Sequence, residues 1–176
     1  MSFAPIDVRE LVGHPGASRE VAVDGTLDGL AGALARVADD EPVHADLLLE
    51  SVIEGILVSG RARGRWVLSC ARCLREFDGA FEAPVHEMAV PRAVEDDEES
   101  YRFDPVEGLD PEQLLRDAIG VEMPFAPLCS PGCLGLCETC GGNRNLGECP
   151  GHDAIDPRFA VLSELLIDLP TTDDPN

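Results

Sequence analysis

Between Val43 and Val90 polar and apolar residues alternate in the two-residue rhythm of half-buried strands. The pattern predicts strands over Val43–Ser51, from Ile53 to about Cys70 with bends at Gly60 and Gly64, over Arg75–Phe81 and over Ala83–Val90. Residues 3–12 and 19–24 read as shorter strands, and Tyr101–Phe103 adds one more. Elsewhere the period lengthens. Thr26 is placed to cap a helix whose Leu27, Leu30, Leu34 and Val37 recur at helical spacing before Asp-Asp-Glu-Pro stops it. Asp110-Pro111-Glu112 opens a second helix with an N-cap, a proline at its first position and an early acid. Leu114, Leu115, Ala118 and Ile119 supply its buried face, and Met123-Pro124 closes it. Asp156-Pro157 repeats the start signal for a short helix, Arg158 to about Leu166, with Phe159, Leu162 and Leu166 on one side.

These elements predict an α+β protein: an antiparallel β-rich core, a meander or barrel-like sheet, with a few short helices and a cysteine-rich knuckle segment. The expected organisation is a β core with packing helices over residues 1–128, a cysteine-rich segment over 129–152, and a C-terminal helix with a loose acidic tail over 153–176. The run Glu-Asp-Asp-Glu-Glu-Ser at 95–100 reads as a solvated loop. A chain of 176 residues buries about 70% of its unfolded surface, so a core forms without staples. No basic stretch followed by an apolar run opens the sequence, and no eighteen consecutive apolar residues occur, which points to the cytoplasm and away from membranes.

Charge narrows the partners. Asp and Glu number 34 against 13 basic residues, a net charge of -21, and every basic residue is arginine. Such a chain repels polyanions and suits a basic protein partner. Five arginines nevertheless fall in one acid-free stretch, Arg61, Arg63, Arg65, Arg72 and Arg75. On a strand the first three share one face, while Ala62, Trp66, Leu68 and Cys70 share the other, so Trp66 belongs to the core. The stripe reads either as an ordinary solvated face or as a contact for phosphate or an acidic partner.

The remaining chemistry is sulfur. Cys129, Cys133, Cys137, Cys140 and Cys149 crowd one short segment, and Cys70 and Cys73 form a distant pair. An odd total of seven, in a chain read as cytosolic, argues against a disulfide framework. Cys70-x-x-Cys73 and Cys137-x-x-Cys140-Gly-Gly have the spacing at which a tight turn aims two sulfurs at one ion, and Cys149-Pro-Gly-His152 adds a thiol and an imidazole. Structural Zn²⁺ is the expected cofactor. Three ligand sets are compatible with the spacing: the two CxxC pairs together, a local set of Cys129, Cys133, Cys137 and Cys140, or two sites that include Cys149 and His152. A redox or sensing role for the pairs, and an iron–sulfur cluster, are the alternatives. The thioredoxin-type pair opens a helix after a strand, whereas Cys70-Ala-Arg-Cys73 lies between two β-like runs.

Cys-Ala-Arg-Cys-Leu-Arg-Glu-Phe at 70–77, the cluster at 129–149 and Asp-Pro-Arg-Phe-Ala-Val-Leu-Ser-Glu-Leu at 156–165 together resemble the YceD family of large-subunit ribosomal RNA accumulation proteins. Cys133, Gly135, Leu136, Cys137, Cys140, Gly141, Asn143 and Asn145 fit that family's pattern, with Arg144 where a leucine is usual. The resemblance implies a non-catalytic ribosome-biogenesis factor whose partners are a basic large-subunit ribosomal protein or the ribosomal RNA precursor, with no small-molecule substrate. It also implies that Cys70 and Cys73 act partly apart from the later cluster. The residues themselves supply no catalytic motif: there is no phosphate-binding glycine loop, nucleophile elbow or His-Glu-x-x-His, and His14, His44 and His86 are scattered.

Overall fold

The computed structural model describes residues 2–39, 41–92 and 101–152. They divide into two compact units, one running to Cys133 and one from Leu134 onward. The expected loop at 95–100 and the expected helix from Arg158 lie outside the described residues.

The first unit is built on a six-stranded sheet. Its strands are β1 (Ser18–Gly25), β2 (Ala35–Val37), β3 (Val43–Ser51), β4 (Ile56–Ser69), β5 (Glu76–Pro91) and β6 (Tyr101–Phe103). They run in the order β1-β3-β4-β5-β6, with β2 also paired to β4. Every pairing is antiparallel except that of β6, which lies parallel to β5 and so departs from a simple meander.

The strand lengths follow from an apolar alternation that does not break. In β4 the even positions Ile56, Val58, Ala62, Trp66 and Leu68 are buried while Arg61, Arg63 and Arg65 are exposed. Gly60 and Gly64 occupy the same inward row. They are sites of close approach rather than bends: a Cβ on Gly60 would stand 2.1 Å from the Asp46 carbonyl oxygen of β3, and one on Gly64 would stand 2.6 Å from the Phe81 ring. Phe81 packs on Trp66 with ring centroids 4.5 Å apart, which confirms the tryptophan as core. Strand β5 pairs with β4 from Glu76 to Ala89 without interruption. It was expected as two strands, but Phe81, Ala83 and Val85 stay on the buried face and Glu82 fits the exposed row.

Two predicted elements form differently. No helix spans Thr26 to Val37; Gly29 takes a left-handed φ of 72°, and the Gly32 N–H donates to the Ala35 carbonyl at 2.8 Å, which turns Ala35–Val37 onto β4. Leu27 and Val37 are nonetheless buried, so the helical spacing tracked burial rather than conformation. Residues 3–12 form turns instead of a strand: Leu11 and Val12 both donate to the Val8 carbonyl, and only Ile6 bridges, to Leu109. Phe3, Ile6, Val8 and Leu11 still enter the core.

Among the described residues the single α-helix is α1 (Glu112–Val121), so they are sheet-dominated, with one short helix where a few were expected. The Asp110 carboxylate accepts from the Glu112 N–H at 2.9 Å, and Leu114, Leu115, Ala118 and Ile119 are buried as the periodicity required. No helix among the described residues is long and apolar enough to cross a membrane.

Candidate metal centres

The hairpin between the two longest strands carries the first cysteine pair. Cys70 follows the last residue of β4, and its N–H donates to the Arg75 carbonyl at 2.9 Å, immediately before β5 begins. Within that closure the Leu74 N–H donates to the Cys70 carbonyl at 2.9 Å, and Leu74 takes a φ of 59°. The turn points both thiols the same way, and neither opens a helix.

The chain leaving α1 supplies the other half. The Ala71 N–H donates to the Pro127 carbonyl at 2.8 Å, and the Cys133 N–H closes a turn on the Ser130 carbonyl at 3.1 Å. These bonds bring Cys129 and Cys133 over the hairpin, and Arg72 donates from Nη1 to the Cys133 carbonyl at 2.9 Å. The four sulfurs of Cys70, Cys73, Cys129 and Cys133 lie within 4.8 Å of one another. The Cys70–Cys133 and Cys73–Cys129 separations are both 3.7 Å. Sulfurs held at about 2.3 Å from one tetrahedral ion stand about 3.8 Å apart. Cys70, Cys73 and Cys133 are buried and Cys129 is half-buried.

The second unit repeats the turn. The Gly141 N–H donates to the Cys137 carbonyl, and the Cys137 N–H to the Gly142 carbonyl, each at 2.8 Å. This matches the bonding at Cys70–Arg75, with Gly141 (φ 73°) where the first knuckle has Leu74. A short 3-10 turn, Arg144–Leu146, then leads back toward Cys149. Asn143 Oδ1 accepts from the Asn145 N–H at 3.0 Å, Asn145 Oδ1 accepts from the Leu134 N–H at 2.8 Å, and Glu148 Oε2 accepts from the Asn143 N–H at 2.9 Å. Cys137, Cys140, Cys149 and His152 thereby converge, their ligand atoms within 4.8 Å of one another.

All seven thiols and His152 are thus divided into two sets of four. The sets differ from a union of the two CxxC pairs and from the local group at 129–140, and they agree with two sites that include Cys149 and His152. Glu148 carried no sequence signal of its own; its role appears only when the return of Cys149 is seen.

The thiols are arranged to share negative charge. The Cys129 N–H, helped by the N–H groups of Cys73 and Arg72 and by the Cys73 thiol, holds the Cys70 thiol at about 6. The Arg75 N–H draws Cys73 downward, but burial and the thiols of Cys70, Cys133 and Cys129 outweigh it and lift Cys73 to about 11. In the second set the N–H groups of Cys140 and Thr139 hold Cys137 at about 6. There the Gly151 N–H lowers Cys149, but the neighbouring Cys137 thiol and burial raise it overall. Sulfurs this close cannot all be anionic unless a cation stands among them. Each set could hold one metal ion, and the backbone donors fit a thiolate ligand.

The arginine stripe has local partners. Arg61 pairs with Glu82, Arg63 reaches Glu82 at 2.8 Å and Asp46 at 2.7 Å, and Arg65 lies 3.6 Å from Glu41 and 3.5 Å from Asp78. The carboxylates come mostly from the neighbouring strands β3 and β5, Glu82 directly opposite Arg63 and the others diagonal to their partners. Arg72 is engaged at Cys133, and Arg75 is exposed at the end of the hairpin.

Fold and clusters together define a β-sheet protein with paired cysteine knuckles, each set suited to one ion. The chain belongs to the YceD family: the family model described as large ribosomal RNA subunit accumulation protein YceD matches residues 58–166. An uncharacterized protein of Mycobacterium tuberculosis (strain ATCC 25618 / H37Rv) is 37% identical over 171 residues, covering 92% of this chain and 80% of the relative. Another from Mycobacterium leprae (strain TN) is 33% identical over 178 residues, covering 96% and 80%. No solved structure matches the chain. The family's name ties it to accumulation of large-subunit ribosomal RNA.

Proposed function

We propose that the protein is a non-catalytic ribosome-biogenesis factor, clasped by two structural Zn²⁺ ions, that holds a basic large-subunit ribosomal protein and so protects ribosomal RNA indirectly. The observation that carries this reading is the neutralised arginine stripe. With Arg61, Arg63 and Arg65 already facing carboxylates, a phosphate backbone would have to displace Glu82, Asp46, Glu41 and Asp78 on a chain of net charge -21. A basic protein meets that surface without such competition. Zinc is supported by the donor sets, four thiolates and three thiolates with an imidazole, both common in closed structural sites. Sulfur pairs 3.7 Å apart suit one ion rather than a multi-iron cluster, which spreads its ligands around a larger body.

The test is capture of purified large-subunit ribosomal proteins on the immobilised, metal-loaded chain. A basic protein should be retained at low salt and released as salt is raised. No capture at low salt overturns the reading. So does tight binding of large-subunit RNA that disappears when Arg61, Arg63 and Arg65 become glutamate.

A further inference from the structure

The two clusters sit in very different surroundings. The first is enclosed: Cys70, Cys73 and Cys133 are 0%, 7% and 3% exposed, in a unit with its own apolar core. In the second, Cys140 and His152 are exposed and Cys137 and Cys149 half-buried. No residue of 134–152 belongs to the apolar core, and Gly135 alone is buried there. Leu134 and Leu146 are 60% and 69% exposed. Among the described residues, what holds the segment is hydrogen bonding, between backbone groups and among Asn143, Asn145 and Glu148, all solvent-accessible, together with the four converging ligands. Solvated hydrogen bonds contribute too little to order nineteen residues against their conformational entropy. A bound ion is then the main source of order, as in small domains that fold only with metal.

Resting on the zinc reading above, we propose that Cys137, Cys140, Cys149 and His152 form an exchangeable metal site that gates the folding of residues 134–152, while the first cluster retains its ion. Four ligands within sixteen residues, two of them open to water, let a chelator approach the ion directly. In the first cluster three of the four thiols are buried and only Cys129 is half-buried, so a chelator meets a far narrower path. Loading the second site fixes a concave surface lined by Leu134, Glu138 and Arg144 beside the ligands, and withdrawing the ion dissolves that surface without touching the sheet. The chain's contacts through this segment therefore follow the supply of metal.

The experiment follows transfer of zinc from the fully loaded full-length chain to a chromophoric chelator, with amide NMR spectra before and after. Two equivalents should leave in two phases, the first faster by about ten-fold or more. Cys149→Ser and, independently, His152→Ala should remove the fast phase and leave the slow one. Amide signals of 134–152 should collapse as the fast ion departs while those of the sheet persist. Equal release rates would overturn the proposal with the zinc assignment intact, as would a fast phase lost in Cys73→Ser or unchanged signals from 134–152. A chain that binds no zinc would sink both.

Discussion

Gly141→Ala is the most informative single perturbation of the second knuckle. Gly141 takes a φ of 73°, and a Cβ placed there meets nothing within 4 Å, so the substitution adds no collision. Its cost is conformational alone. A non-glycine residue in the left-handed region loses about 1–2 kcal/mol. Alanine recovers about 0.4–1 kcal/mol by restricting the unfolded chain. The net penalty is about 1 kcal/mol. Residues 134–152 contribute nothing to the apolar core, so this penalty appears in metal binding rather than in the melting of the sheet. At tenfold per 1.4 kcal/mol, affinity at the second site should fall roughly five-fold. The assay is zinc competition against a chelator of known affinity, paired with thermal unfolding followed by the fluorescence of Trp66. A five-fold weaker second site with an unchanged melting temperature is expected. Unchanged affinity, or a lower melting temperature with affinity intact, would refute the argument that this turn is held by its ion. Leu74 already takes a φ of 59° in the equivalent place, which shows that an enclosed knuckle carries this strain.

Three further outcomes test the frame that positions the clusters. Gly60→Ala should destabilise the chain by about 3 kcal/mol or more in urea unfolding, because the new Cβ would stand 2.1 Å from the Asp46 carbonyl oxygen and force β3 from β4; a loss below about 1 kcal/mol would contradict the strand register. Ser51→Ala should cost about 1–3 kcal/mol, since the buried Ser51 hydroxyl donates to the Leu11 carbonyl at 2.6 Å; a neutral result would mean that carbonyl finds another donor. His44 hydrogen-bonds Asp24 at 2.8 Å and lies 3.2 Å from Asp46, and these carboxylates, Asp24 foremost, raise its pKa above 6.5. A group raised in the folded state stabilises fully below its unfolded pKa and loses that contribution as pH rises through the folded value. An NMR titration placing His44 at or below 6.5 would therefore refute the β1–β3 contact.

Much of the sheet could be read directly because its signal is local. The alternation from Val43 to Ser51 matches β3 residue for residue, and Tyr101–Phe103 matches β6. Helix α1 could be read from Asp110 and its four apolar residues. The stretch from Thr26 to Val37 misled because leucines at helical spacing also suit a folded-back loop, and Gly29 and Gly32 decide between them. The knuckles were visible as CxxC spacing. Cys149 and His152 were visible as candidates for a second site, but the partners of Cys70 and Cys73 were not: Cys70 meets Cys133 across 63 positions, a relation set by the length of the β4–β5 hairpin and the exit from α1. The acids facing the arginine stripe were hidden for the same reason, since Asp46 and Glu82 become its neighbours only through strand register.

X-ray absorption at the zinc edge of the purified full-length chain, with the metal content of the same sample, examines the convergence of the thiols most directly. Two ions per chain should share seven sulfurs and one imidazole nitrogen between them. A single ion per chain, or a shell dominated by oxygen, would show that the distant cysteines do not close around metal as the structure places them.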